Sequence, residues 1–310
     1  MNPLPRDFVE TPEGWLFAVV DRQPEDGRIL TWLRYVPAPE GRLTKLGTEA
    51  AESFLAQRGP GYRFWSRRLD APLHGVPLDR VRRHYRPRDR VQALLRQGPR
   101  DGLEDKALHL LQLLMEGGIA AERLGLTGSL LIGAHRPESD LDLVIYGRAT
   151  FDAARHLVGQ AIAAGRLDAL DLAAWRETYR RRGCALGFED YLWHEQRKRD
   201  KGRLAGTKFD LTLVGDDPPP ESGPVRKLGP KVLRARVRDA DLAFDVPARY
   251  RLDHAEVEEA LSLTQTYAGQ AEAGETVEIA GCLEDTADGQ RRIVVGSSRE
   301  APGQYIRVLR

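Results

Sequence analysis

The stretch "LTGSLLIGAHRPESDLDLVIYG", residues 126–147, sets two aspartates, Asp140 and Asp142, one residue apart in an apolar run. Side chains alternate across a strand, so Asp140, Asp142 and Val144 face one way and Leu141, Leu143 and Ile145 the other. A later run, "TKFDLTLVG", repeats the pattern: Phe209, Leu211 and Leu213 form a core face and Asp210 points oppositely. If the two strands are neighbours, three carboxylates converge on one face. Like charges left together and desolvated are costly. A divalent ion reverses the sign of that problem. Mg²⁺ or Mn²⁺ takes hard carboxylate oxygens in octahedral geometry. Two such ions about 3.5–4 Å apart can activate a hydroxyl and neutralise a leaving pyrophosphate.

The tripeptide "TGS" supplies a second component. A strand is expected to end at Thr127, with Gly128-Ser129 opening a helix and Ser129 placed to cap it. Glycine lets the backbone approach a ligand closely, and free N–H groups at a helix start favour phosphate oxygens. The cradle lies 11 residues before Asp140, which suits a triphosphate attacked at its α-phosphorus.

Gly128-Ser129, then Asp140-x-Asp142, then Asp210 on a later strand, resembles the DNA polymerase β-like nucleotidyltransferase superfamily. The match spans roughly residues 100–216. The longer pattern, with "FDVPARYRLDH" and "TYAGQAEAGE", is similar to an uncharacterised group of predicted nucleotidyltransferases in archaea and some bacteria. The resemblance implies that Asp140 and Asp142 bind two Mg²⁺ or Mn²⁺ ions. It implies that Asp210 binds the catalytic ion and helps deprotonate the acceptor hydroxyl. Gly128 and Ser129 would hold the β- and γ-phosphates of an NTP or dNTP. One departure is the 67 residues between Asp142 and Asp210, a long gap for a minimal member.

These residues need a frame. The expected fold class is α+β: a polymerase β-like palm, a mixed sheet with helices on one face, over residues 86–218. A small N-terminal α+β domain over 1–85 and a β-rich C-terminal domain over 219–310 flank it. In the first, "FVETPEGWLFAVV" and "RILTWLRYV" read as a hairpin or meander, and "TEAAESFLAQRG" as a short helix. "HYRPRDRVQALLRQGPRDG" reads as a basic, proline-marked join. "EDKALHLLQLLMEGG" has apolar residues at helical spacing. Helices are expected around 150–163 and 168–182. "DDPPPESGP" reads as a linker. Beyond it, "KVLRARVRD" and "ARYRLD" read as strands, "AEVEEALSLTQTYA" as a helix, and the tail as three strands with turns at "ADGQ" and "EAPG". The C-terminal strands could close a small barrel.

With 41% hydrophobic and 30% charged residues, the chain has the balance of a soluble globular protein. No apolar run approaches the roughly 18 residues of a membrane helix, and the N-terminus lacks the apolar region of a signal peptide. Two cysteines, Cys184 and Cys282, make no zinc pattern, so a cytoplasmic location is expected. Net charge is +1, but residues 62–100 hold 11 Arg against 3 Asp, and residues 176–208 hold 10 Lys or Arg against 5 acids. Within the second stretch, Arg197, Lys198 and Lys201 could contact phosphates, or they could form a solvated helix end. His135, between the cradle and the metal strand, is a further candidate for substrate contact.

The expected activity is transfer of a nucleoside monophosphate to a hydroxyl, with a nucleic-acid 3′ end as acceptor and 3′-end hydrolysis as a side reaction. Transfer of AMP to a protein is one alternative. A nucleic-acid-binding repair or processing factor with a regulatory nucleotide site is another. Oligomeric state is not legible in the sequence.

Overall fold

The computed structural model describes residues 2–216, 223–296 and 302–310. Most of the expected "DDPPPESGP" linker and part of the "EAPG" turn lie outside the described residues. The architecture is mixed α+β, with an N-terminal α/β region, a middle sheet and a β-rich, barrel-containing C-terminal region. The chain separates into two compact units.

The first unit comprises residues up to 65, then 72–169 and 200–218. Its N-terminal sheet has seven strands: β1 (Phe8–Glu10), β2 (Leu16–Val19), β3 (Arg28–Pro37), β4 (Leu43–Lys45), β5 (Arg63–Ser66), β6 (Ala71–Pro77) and β7 (Arg83–Tyr85). Their order is β5-β6-β3-β2-β1-β7, with β4 paired to β3. Helix α1 (Thr48–Arg58) inserts Leu55 into a core with Val9, Phe17, Leu33 and Val76.

The middle sheet holds β8 (Leu124–Leu126), β9 (Leu141–Tyr146), β10 (Lys201–Leu204) and β11 (Thr207–Val214) in the order β10-β11-β9-β8. Strands β9 and β11 run parallel, and the other two pairings are antiparallel. A parallel pair needs a long crossover. Helix α5 (Arg148–Ala163) begins that crossover and packs on both strands.

The proline-marked join is not a linker. It forms β7 and then helix α2 (Pro87–Gln97), with proline in its first turn, where no N–H is required. Val91 and Leu94 are buried. Pro87 closes over Gly125, and the Arg88 guanidinium lies 3.7 Å from the Tyr146 ring centroid. Gly125 pairs with Val144, so the start of α2 reaches the carboxylate side of the sheet. Helix α3 (Gly102–Glu116) is capped by Asp101, which accepts from the N–H groups of Leu103 and Glu104.

The N-terminal sheet and the middle region share a core. Phe8, Leu16 and Tyr35 pack with Leu131, from the short helix α4 (Gly128–Ile132). Leu4 packs against Val144, Tyr146 and Val214, on the same face of the middle sheet as Asp142.

The second unit comprises residues 66–71, 170–199 and the C-terminal region. Strands β12 (Arg226–Asp239), β13 (Ala248–Asp253), β14 (Glu259–Ser262), β15 (Thr276–Asp285), β16 (Arg291–Val295) and β17 (Tyr305–Val308) follow the order β12-β13-β14-β16-β15-β17. The β12–β15 pairing closes a five-stranded barrel, with β14 and β16 parallel and β17 added beside β15. The helix expected at "AEVEEALSLTQTYA" is instead β14 followed by a single 3-10 turn, Gln265–Tyr267. β14 pairs on both sides, with β13 and β16, and this ladder overrides the helical propensity of its alanines and glutamates.

Helices α6 (Leu172–Arg182) and α7 (Phe188–Lys198) belong to this unit. Their Trp175 and Tyr191 share one core with Val237, Tyr250, Ile279 and Ile293 of the barrel. The long insert between Asp142 and Asp210 is therefore divided. Its first helix covers the middle sheet, and its next two join the barrel core.

Candidate metal and phosphate site

Asp142 and Asp210 are direct register partners in the parallel pair β9–β11. Their side chains therefore stand on the same face, as the alternation predicts. Below them, Leu141, Leu143, Phe209 and Leu211 are buried on the opposite face. Asp140 immediately precedes β9. Lys208, two residues before Asp210, joins the acids: its Nζ lies 2.9 Å from Asp210 Oδ2 and 3.7 Å from Asp140 Oδ2. Across the antiparallel pair β10–β11, Lys201 opposes Asp210 and Arg203 opposes Lys208. The face is thus a small grid of acids and bases.

Burial pushes the Asp142 carboxyl up to about 6, and the negative charges of Asp210 and, to a lesser extent, Asp140 add to that. Arg6 and Lys208 oppose the shift. Ionising Asp142 at neutral pH therefore works against its neighbours, as expected of a carboxylate set that lacks enough positive charge.

Gly128 comes directly against this acid. Its φ is +63°, and a Cβ there would overlap Asp142 Oδ2. Two independent constraints, left-handed backbone and close approach, therefore select glycine. Thr127, not Ser129, occupies the N-cap of α4, and its side chain makes no capping bond. Its N–H donates to the Asp142 carbonyl at 3.0 Å and its Oγ1 to the Arg6 carbonyl at 2.6 Å. Ser129 is second in the helix and half-buried, which corrects the expectation that it serves as the cap.

His135 is engaged elsewhere. Its Nε2 lies 2.8 Å from Asp101 Oδ2, while Asp101 Oδ1 caps α3. Asp101, Glu104 and His135 bring ligand atoms within 4.8 Å of one another. Glu104, however, is fully buried and already holds two guanidiniums, those of Arg90 and Arg100, plus the Arg100 N–H at 2.9 Å. Arg90 Nε also donates to the Leu130 carbonyl at 3.0 Å. This group braces α4 against α2 and α3, and its positive charge is supplied by arginine.

The structure does not gather Arg197, Lys198 and Lys201 into an exposed basic patch. Lys198 is 1% exposed, paired with Glu195 and donating to the Thr266 carbonyl at 2.9 Å. Arg197 bridges to Glu275 at 2.8 Å and Glu272 at 3.2 Å and stacks on Trp193. Lys201 pairs with Asp200 at 2.7 Å. These three charges are engaged with acids and a carbonyl of the protein itself, so phosphate-backbone contact by these three residues loses its basis.

Two residues that the sequence reading missed stand at the site. Lys208 was legible in principle, because positions i and i−2 share a strand face. Arg6 was not: only tertiary folding carries it to Asp142, and its backbone is held at φ 80°. The Asp142 charge is also felt at Tyr35 on β3, so the N-terminal region forms part of the site's surroundings.

The donor set fits a hard divalent cation. Asp142 and Asp210 set hard oxygen donors side by side on one sheet face, Asp140 stands just before β9, and the Asp142 carboxylate takes the space that a Cβ at Gly128 would fill.

Fold and site together define an α+β protein with a carboxylate-bearing parallel strand pair beside a glycine-opened helix. The chain belongs to the same family as the uncharacterized protein MJ1086 of Methanocaldococcus jannaschii, to which it is 32% identical over 335 positions, covering 98% of each chain. No family model matches the chain, and no solved structure matches it.

Proposed function

We propose that the protein is a metal-dependent nucleotidyltransferase with a polymerase β-like palm, moving a nucleoside monophosphate from an NTP or dNTP to a hydroxyl. The observation that carries this reading is the register pairing of Asp142 with Asp210, with Gly128 directly against Asp142. Asp140, Asp142 and Asp210 would hold Mg²⁺ or Mn²⁺, which when bound neutralises the triphosphate and lowers the pKa of the attacking hydroxyl.

The chain's own groups then have defined tasks. The Gly128 and Ser129 region holds the β- and γ-phosphates. Asp210 takes the proton of the acceptor hydroxyl. The acceptor oxygen bonds to the α-phosphorus, the bond to the bridging oxygen breaks, and pyrophosphate leaves with that electron pair.

A nucleic-acid 3′ end is the acceptor to test first. The five-stranded barrel with its parallel β14–β16 pair is of the Greek-key type that includes oligonucleotide binders. Fold alone does not assign a ligand, and the interior placement of Lys198 removes that residue from contact with an acceptor. The test is incubation with α-labelled NTPs or dNTPs, Mg²⁺ or Mn²⁺, and an oligonucleotide. Extension that disappears in Asp142→Asn supports the reading, and transfer unaffected by that change refutes the site.

A further inference from the structure

We infer that Lys208 is an internal cation of the carboxylate site, holding its acids together in the metal-free protein and competing with the divalent ion that displaces it. The inference rests on the metal reading above and deepens it.

The geometry is specific. The Lys208 ammonium touches Asp210 Oδ2 at 2.9 Å and reaches Asp140 Oδ2 at 3.7 Å. It thus joins the carboxylate of one strand to the carboxylate preceding the other. Its side chain is 11% exposed, against 33% for Asp140, so the charge is largely enclosed. Lys201 opposes Asp210 across the ladder, and its ammonium pairs with Asp200 at 2.7 Å. Arg203 opposes Lys208 itself, on the β10 side.

A lysine ammonium is a point charge on a flexible stem with three donors, so it can bridge two carboxylates and also withdraw. Asp210 and Asp140 would hold a divalent ion against the like charge of the Lys208 ammonium, and Lys208 would have to withdraw for them to do so. Lys208 thereby raises the divalent concentration at which the site fills. Without it, the metal-free acids lose one of the positive charges that offset their repulsion, Arg6 being another. Lys208 is a positioning residue in this account.

The experiment is Mn²⁺ titration of the full chain at neutral pH, reading free Mn²⁺ by electron paramagnetic resonance, with melting temperatures measured with and without Mn²⁺. Wild type, Lys208→Met, Lys208→Gln, Lys208→Arg and Asp142→Asn are compared. Two neutral variants are included so that one misfolded variant does not end the test. The expected result is that either folded neutral variant binds Mn²⁺ about threefold or more tightly than wild type, since a close like charge has been removed. Its metal-free melting temperature falls, and its Mn²⁺-induced rise exceeds that of wild type. Lys208→Arg keeps the wild-type affinity or a weaker one. Unchanged or weaker Mn²⁺ binding in both neutral variants overturns the inference while leaving the metal site intact. Wild-type binding that is absent, or insensitive to Asp142→Asn, overturns the metal reading itself and the inference with it.

Discussion

At the residue scale, Asp142 carries the account. Its carboxyl is held up to about 6 by burial and by Asp210 and Asp140, so its charged form destabilises the fold at neutral pH. Asp142→Asn is expected to abolish nucleotidyl transfer while raising stability, or leaving it unchanged, by up to about 1–2 kcal/mol, a unit of pKa being about 1.4 kcal/mol. Calorimetry and the transfer assay check this together; a clear drop in melting temperature would mean that the acid is a structural partner instead. Gly128 is the complementary case. Gly128→Ala forces an L-residue into φ +63° and a Cβ onto Asp142 Oδ2. A loss of about 1–2 kcal/mol is expected from the backbone, with disproportionate loss of Mn²⁺ binding. Proportional losses would remove Gly128 from the site. Ser129, freed from a capping role by its place inside the helix, can be judged on nucleotide binding. Ser129→Ala is expected to weaken triphosphate affinity by about tenfold or more, the value of a charge-assisted hydrogen bond, and to spare the monophosphate. Equal effects on both nucleotides would misplace the triphosphate.

At the element scale, period-2 alternation was the dependable signal. β9 and β11 were legible because apolar and acidic residues alternate cleanly through "DLDLVIY" and "FDLTLV", and their face assignment held to the register pair. Legibility failed where tertiary pairing outweighed local preference. β14 sits in a stretch rich in Ala, Glu and Leu, and only its two neighbouring strands make it extended. Helix α2 was hidden by its arginines and prolines, since Val91 and Leu94 alone mark its buried side among the non-polar positions of its middle turns. The basic end of α7 was ambiguous in sequence because charge does not say which way it points. That helix also yields a pH prediction. His194 is buried, its Nδ1–H donates to the Asp190 carbonyl at 2.7 Å, and its Nε2 accepts from the Val308 N–H at 3.1 Å. Burial drives its pKa from 6.5 down to about 4. A base held neutral in the fold contributes stability above its unfolded pKa and loses it as pH falls toward the folded one. The unfolded chain binds the extra proton between about 6.5 and about 4, so wild-type stability should fall across that window by on the order of 3 kcal/mol from this group. His194→Gln should start lower at pH 7 and show a flatter acid limb in urea unfolding; parallel limbs would contradict the assignment.

At the scale of the whole molecule, sequence reading captured an N-terminal α/β region, a middle sheet and a β-rich C-terminal region. What it could not capture is how chain order and packing diverge. Residues 170–199 lie between two strands of the middle sheet in sequence, yet group with the C-terminal barrel. Conversely, Arg6 and Tyr35 come from the chain's beginning and bear on Asp142. Neither fact has a local signature, because both depend on contacts between residues distant in the chain. Among the described residues, no helix is long and apolar enough to cross a membrane. The proposed function makes Asp140, Asp142 and Asp210 a metal-dependent nucleotidyl-transfer site. Its most direct test is transfer of label from an α-labelled nucleoside triphosphate, in Mn²⁺ or Mg²⁺, by wild type beside Asp142→Asn and Asp210→Asn, with an oligonucleotide and, separately, a cell lysate as acceptor. The account predicts labelled acceptor and released pyrophosphate with wild type, loss of both on chelation, and loss of both in either variant. Metal-dependent transfer that survives in both folded variants, or none from any triphosphate to either acceptor, would contradict it.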